Sequence, residues 1–207
     1  MSKLKNIIVL GGGASVEGFP YQEINDFGCY VIGVNDAFRY APVDCVVSMD
    51  RLFLEGRWEE LKAFGEAGKS VYLRENAYRV NKKPETFPNL QIFDCNHMTD
   101  KMDETTTFTL NGRSSGHCAI NLAYKMRPDN VYLFGFDMQG GHWWPPYPWA
   151  KEPTGQRSDE WINAFRLIER YFGKSKTNIY VCGKSAIRNL PKISFEEFVT
   201  MREKCAK

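Results

Sequence analysis

The chain has 207 residues, 43% of them hydrophobic and 25% charged, with a formal net charge of +2. That length and balance fit one globular domain able to build its own core without staples. The near-neutral charge argues against direct duplex binding and against a polybasic membrane surface, and no run reaches the roughly 20 apolar residues of a membrane span.

The first expected strand is Asn6 to Leu10 (NIIVL). The five residues before it leave no room for the apolar region of a signal peptide, so a cytoplasmic protein is expected. Gly11-Gly12-Gly13-Ala14-Ser15 follows the strand. Glycines there allow positive φ and close backbone approach to a ligand, whose phosphate the N–H groups could cradle. Gly11 and Gly13 match a dinucleotide-binding pattern, but its third glycine is Val16, and no Gly-Lys-Ser/Thr follows to make a Walker loop. A tight turn without a ligand is the plain alternative.

Tyr30 to Val34 and Cys45 to Met49 read as the second and third strands. The second runs into Asn35 and Asp36. An asparagine amide can both donate to and accept from a base or ribose. Asp36 stands near the distance at which dinucleotide enzymes place their ribose-binding acid, which keeps an NAD-dependent enzyme as an alternative. Asp50, after the third strand, could hold a ribose hydroxyl or a metal, or simply cap the next segment.

Val71 to Leu73 and Leu90 to Phe93 are the fourth and fifth strands. A helix is expected over Gly116 to Met126, capped by Ser114 or Ser115, with Ala119 and Ala123 small enough to lie close on a sheet. Ser114, Ser115 and Gly116 at a helix start form a candidate anion site, and Arg113 adds positive charge beside it. A serine cap with an exposed arginine is the bland reading of the same residues.

The sixth strand, Asn130 to Phe136, leads into Asp137, the pair Gly140-Gly141 and then His142. Histidine suits proton abstraction from an acceptor hydroxyl near neutral pH, and Asp137 could orient it or hold a ligand hydroxyl. Trp143, Trp144, Tyr147 and Trp149 offer flat faces for sugars or bases, in a loop stiffened by Pro145, Pro146 and Pro148. The same cluster could be a hydrophobic plug or a contact between copies of the chain, so a homo-oligomer stays open. A helix over Ser158 to Phe172, N-capped by Ser158, a seventh strand at Asn178 to Cys182, and a last helix opening on the capping box Ser194 to Glu197 complete the chain.

Six cysteines are scattered with no Cys-x-x-Cys pair, so reduced core thiols are expected and no metal site is assigned. Near-continuous apolar strands alternating with helices predict a single α/β domain over residues 1–207, a Rossmann-like three-layer sandwich on a mostly parallel sheet of about seven strands.

"GGGAS" after the first strand, "VND" after the second, "SSGHCAINLAY" opening a helix and "VYLFGFDM" after it occur in the same order in one superfamily. The chain resembles the bacterial sialyltransferase-like group, which also includes the archaeal 6-hydroxymethylpterin diphosphokinase-like proteins. It looks most similar to phage-encoded members, which also continue past "GFDM" into a Gly-His-aromatic segment. The resemblance covers about residues 5 to 145.

That resemblance implies that Gly11 to Ser15, Asn35 and Ser114 to Gly116 contact the nucleotide of a sugar donor. The usual proline before the serine of the glycine turn is Ala14 here, and His142 is assigned by its chemistry rather than by a matching motif. The expected function is a nucleotide-sugar-dependent glycosyltransferase, with His142 as base and Arg113 balancing leaving-group charge. No Asp-x-Asp metal motif is present, so no cofactor is expected beyond the nucleotide-sugar substrate. A phage source would place the protein in the host cytoplasm. Three alternatives stand beside this reading: an ATP- and Mg²⁺-dependent diphosphokinase using Asp50 and Asp137, an NAD-dependent enzyme, and a non-catalytic nucleotide-binding protein.

Overall fold

The computed structural model describes residues 4–80, 86–105, 107–145 and 155–206, without the side chains of 79–80, 155–158 and 202–206. Eight strands form one sheet: β1 (Asn6–Leu10), β2 (Tyr30–Val34), β3 (Cys45–Ser48), β4 (Ser70–Arg74), β5 (Leu90–Phe93), β6 (Asn130–Phe134), β7 (Asn178–Cys182) and β8 (Lys192–Ile193). Their order is β5-β4-β3-β2-β1-β6-β7-β8, and every pairing is parallel. The expected parallel sheet of about seven strands is thus present, with β8 as an additional edge strand. Two residues at a sheet edge carry too little pattern to be read in advance.

The helices are α1 (Ala37–Tyr40), α2 (Arg51–Glu66), α3 (Glu75–Val80), α4 (Ser115–Lys125), α5 (Gly155–Lys174) and α6 (Phe195–Ala206). Short 3-10 turns span Ala14–Gly18 and Tyr21–Phe27. Ser114 caps α4 through its side chain, as one of the two expected serines. At α6 the Ser194 N–H donates to the Glu197 carboxylate at 2.7 Å, and the Glu197 N–H donates back to Ser194 Oγ at 3.2 Å. That is the reciprocal cap expected of the spacing. The Ser158 cap is a correction, because α5 already begins at Gly155.

β1 and β6 are buried along their whole length, which explains their unbroken apolar sequence. On one face Ile7, Val9, Ile32 and Leu133 pack with Ala119 and Ala123 of α4 and Phe165 and Phe172 of α5. On the other, Ile8, Leu10, Tyr132 and Phe134 pack with Phe19 and with Phe198 of α6. α2 covers the same side farther out, laying Phe53, Leu54, Trp58 and Leu61 on Val46, Val71 and Leu73. Burying each such large side chain contributes about 1.5–3 kcal/mol. The result is the expected three-layer α/β sandwich.

From β1 to β5 the chain winds outward in one direction. It then returns through α4, which lies over β1, β2 and β3, to place β6 on the other flank of β1. The winding direction reverses between β1 and β6. Open α/β sheets bind ligands in the crevice beyond the strand ends at such a reversal. Among the described residues no helix is long and apolar enough to cross a membrane.

Candidate functional site at the carboxyl edge of the sheet

The glycine turn after β1 does lie at this reversal, yet it is bound mostly to the chain itself. The Gly11 N–H donates to the Phe134 carbonyl and the Gly13 N–H to the Gly135 carbonyl, both at 2.8 Å. The Ser15 N–H donates to Asp137 Oδ2 at 2.8 Å, and the Ser15 hydroxyl donates to Asp137 Oδ1. Asp137 therefore stands at the start of the 3-10 turn, where the sequence suggests a ligand phosphate.

The reason for the glycines also differs from expectation. None of Gly11, Gly12 or Gly13 has positive φ. A Cβ at Gly11 would lie 2.6 Å from the Gly135 carbonyl oxygen, one at Gly13 would strike the Asp137 carboxylate, and one at Gly12 would strike the His142 ring. They are small because the β6 loop presses against them. Gly13 and His142 form an antiparallel bridge, with the Trp143 N–H donating to the Gly12 carbonyl at 3.0 Å and the Ala14 N–H turned toward the Gly141 carbonyl. Of the amides from Gly11 to Ser15, that of Gly12 carries no hydrogen bond to protein among the described residues.

His142 is exposed and sits over this turn. Its Nδ1 is 3.2 Å from the Gly12 carbonyl oxygen, and its ring stacks on Trp144 with centroids 5.2 Å apart and planes 15° apart. A carbonyl oxygen only accepts, so in this arrangement Nδ1 carries the proton and Nε2 is the basic nitrogen of the neutral ring. Gly12 thus orients His142, while the Asp137 carboxylate is held by Ser15. That corrects the expectation that Asp137 orients the histidine.

The aromatic wall is largely folded inward. Trp144 is 4% exposed and packs with Tyr40, its ring nearly parallel to the tyrosine at 6.2 Å. Trp143 donates its indole N–H to the Gly11 carbonyl at 2.9 Å and leans on Tyr21. Trp144 is therefore core rather than a stacking face for an acceptor, and Trp143 is a clamp on the glycine turn. Tyr147 and Trp149 lie outside the described residues.

At the end of β2, Asn35 adopts the left-handed conformation with φ 51°, and its N–H donates to the Val47 carbonyl at 3.2 Å. Its Oδ1 is buried with no hydrogen-bond partner. Such an acceptor costs about 1–3 kcal/mol unless a donor reaches it. Asp36, by contrast, is 1% exposed and takes a bidentate pair of bonds from Arg57 at 2.9 and 3.1 Å. Its carboxylate serves this internal ion pair, which corrects the ribose-binding expectation. Asp50 caps α2, accepting from the Leu52 and Phe53 N–H groups at 2.8 and 3.3 Å.

Across the crevice, Ser114 Oγ is 2.8 Å from His117 Nδ1, and Ser115 Oγ accepts from the Met49 N–H at 3.1 Å. Ser115 is buried. Both hydroxyls therefore fasten α4 to the fold rather than standing open to a phosphate. A Cβ at Gly116 would lie 3.0 Å from the Phe136 ring, so that glycine admits Phe136. Arg113 is paired with Asp100, which raises its pKa, so its charge is already balanced. His117 is buried, and that burial pushes its pKa down to about 4 against a smaller upward pull from the Trp161 backbone. His97 is exposed beside Arg74 at 2.8 Å.

Five cysteines are free, buried thiols: Cys29, Cys45, Cys95, Cys118 and Cys182. Among the described residues no group of three or more His, Cys, Asp or Glu side chains is arranged to hold a metal ion. Sequence reasoning missed Gly135 and Ser185. Gly135 turns the chain out of β6 at φ 69°. The Ser185 hydroxyl ties the loop after β7 to the Phe136 carbonyl at 2.6 Å. Neither residue carries a signal before its partners are known.

The fold defines a doubly wound, all-parallel α/β protein whose strand-end loops meet where β1 and β6 part. Among solved structures, it is similar to the sialyltransferase CstII from Campylobacter jejuni, determined with the substrate analogue CMP-3FNeuAc. The two share 15% identity over 92% of this chain and 86% of that chain, with a TM-score of 0.55. The chain thus has a sialyltransferase-like fold. No family model matches it, and no curated protein does.

Proposed function

We propose that the chain is a glycosyltransferase that uses a nucleotide-activated sugar. The observation that carries this reading is the buried, unpartnered Oδ1 of Asn35 at the carboxyl end of β2. A nucleoside supplies the missing donor, from an exocyclic amine or a ribose hydroxyl. The Gly12 N–H follows the neighbouring strand β1, and the positive end of α4 adds favourable potential for phosphate. The fold likeness to a nucleotide-sugar enzyme supports the same assignment.

His142 then acts as general base. As the acceptor oxygen forms its bond to the anomeric carbon, the hydroxyl proton passes to Nε2. The bond from that carbon to the phosphate oxygen breaks, and the nucleotide leaves with the electron pair. Asp137 and Ser15 hold the glycine turn rigid beneath His142, so they are positioning residues. Arg113 has no part in balancing the leaving group, because Asp100 holds it.

Two of the three alternatives ask for a carboxylate already engaged, and the third, a non-catalytic nucleotide-binding protein, is separated by the assay for turnover. A diphosphokinase would need Asp50 and Asp137 for Mg²⁺, and an NAD enzyme would need Asp36. Those carboxylates accept from the α2 amides, from Ser15 and from Arg57 respectively. The test is calorimetric titration with CMP, UDP, GDP, ATP and NAD, followed by assay of nucleotide release from the matching nucleotide sugar. We expect one nucleotide to bind, and Asn35→Ala to weaken it about tenfold or more, the worth of a buried hydrogen bond. Binding of none, or of NAD alone, overturns the reading.

A further inference from the structure

A second cavity lies on the other side of the reversal, outside the crevice assigned to the nucleotide. It has a volume of about 450 Å³, within the range of small-molecule sites. Asp159, Asn163 and Arg166 of α5 line one wall, Arg188 and Asn189 from the segment between β7 and β8 line another, and Gln139 closes the side next to β6. On α5 the lining positions recur at three- and four-residue spacing, while Phe165, Ile168 and Phe172 face the core. The cavity is therefore the outward face of a helix whose inward face is committed to the sheet.

The charges in it are informative. Arg166 and Arg188 come from separate elements, yet neither pairs with an acidic side chain among the described residues. Among the described residues Arg74, Arg127 and Arg170 likewise form no ion pair with an acid, but they do not line the cavity, and four other arginines are held by acids. Arg57 takes Asp36, Arg113 takes Asp100, and Arg39 and Arg51 take Glu60 and Glu55. Asp159 is the one acid lining the cavity, two helical turns from Arg166, and it leaves a net positive charge there. Guanidinium groups recognise carboxylate and phosphate oxygens by paired, charge-assisted hydrogen bonds. The amides of Gln139 and Asn163 and the carboxylate of Asp159 suit the hydroxyl groups of a sugar.

The walls are also fixed in advance. Asn189 Nδ2 donates to the Phe165 carbonyl at 2.7 Å and toward Glu169 at 3.3 Å, tying the loop to α5. The Ala186 N–H donates to the Asp137 carbonyl at 2.9 Å, and Ser185 Oγ supports the Ile187 N–H at 3.1 Å. The cavity is thereby joined to the segment that carries Asp137 and leads to His142. Fixed walls lower the ordering cost of binding.

We propose that this cavity is a subsite for an anionic sugar, one bearing a phosphate or a carboxylate, and that it holds the acceptor. Its role as acceptor site rests on the glycosyltransferase reading, whereas its binding of an anionic sugar does not. Glucose 6-phosphate and glucuronate represent the two sources of the anion, and glucose is the neutral control. Each is titrated calorimetrically into the full chain and into Arg166→Gln and Arg188→Gln, with CMP titrated in parallel. Both substitutions are at exposed positions and should leave the circular dichroism spectrum unchanged.

The expected result is that at least one charged sugar binds and glucose does not. Each arginine variant should bind that sugar about tenfold or more weakly, the loss expected of a charge-assisted pair, with CMP affinity unchanged. The stronger of the two charged sugars identifies the anion. Binding of glucose as tight as that of the charged sugars, no binding of either charged sugar, or unchanged affinity in both variants overturns the proposal. CMP binding without charged-sugar binding sinks the subsite alone. Charged-sugar binding without any nucleotide binding sinks the glycosyltransferase reading alone.

Discussion

Ser15 gives both its backbone N–H and its hydroxyl to the carboxylate of Asp137, 122 positions away in the chain. This pair clamps the turn after β1 to the loop after β6. It places a fixed negative charge at the start of the 3-10 turn, so of these amides the one left for a ligand phosphate is that of Gly12. Asp137→Ala should lower stability by about 1–3 kcal/mol, since two donors lose their acceptor. Ser15→Ala should cost less, because the backbone donor survives. Urea denaturation of both variants and the double mutant checks this, with a coupling energy expected between the sites.

The three glycines of the turn should respond differently to alanine. At Gly11 the new methyl meets a backbone carbonyl that cannot move, so Gly11→Ala should destabilise the fold by about 1–3 kcal/mol. At Gly12 it meets the exposed ring of His142, which can swing away, and the edge of the buried Trp144 ring at 3.0 Å, which needs to give by only a few tenths of an ångström. Gly12→Ala should therefore fold normally and lose turnover. Thermal melts and activity measured on both variants separate the two outcomes, and a Gly12→Ala protein with full activity would remove the glycine from any role in orienting His142.

Removing the histidine tests the chemistry directly. His142→Ala should leave nucleotide affinity nearly unchanged and reduce turnover by about 10²–10⁴-fold, the range for a positioned base. Trp144→Ala should act otherwise: as a buried core side chain it should cost about 3–5 kcal/mol of stability. Retained melting temperature in Trp144→Ala would mean the ring does not pack as described.

His117 makes stability depend on pH. Its folded pKa of about 4 lies below its ordinary value of 6.5 because burial disfavours the charged ring. Between those values the unfolded chain binds a proton that the folded chain does not. The neutral-histidine contribution is therefore complete above about pH 6.5 and falls as pH drops toward 4, by roughly 3 kcal/mol in all. In His117→Asn that part of the acid dependence should disappear. Parallel urea titrations at pH 7.5, 6.5, 5.5 and 4.5 measure it.

Much of the architecture is present in local pattern. The unbroken apolar runs at Asn6–Leu10 and Asn130–Phe134 identify strands covered on both faces, and the Ser194 to Glu197 spacing identifies a helix start. Both depend on neighbours close in sequence, where period and capping chemistry are readable. The placement of candidate site residues after strands follows from the same logic, because parallel strands all end on one edge.

What those residues do there was decided by partners distant in the chain. Asp36 follows its strand as a ribose-binding acid would, yet Arg57 of α2 claims it. Ser115 looks open to phosphate until β3 ends against it and Met49 donates to its hydroxyl. Three consecutive glycines suggest room for a ligand, and the room is filled by Gly135, Asp137 and His142. Sequence by itself determined seven of the eight strands, the edge on which they end, and the residue types gathered there. Only the tertiary structure decided which polar groups are spent on one another, because a buried donor or charge takes the partner that packing brings within about 3 Å.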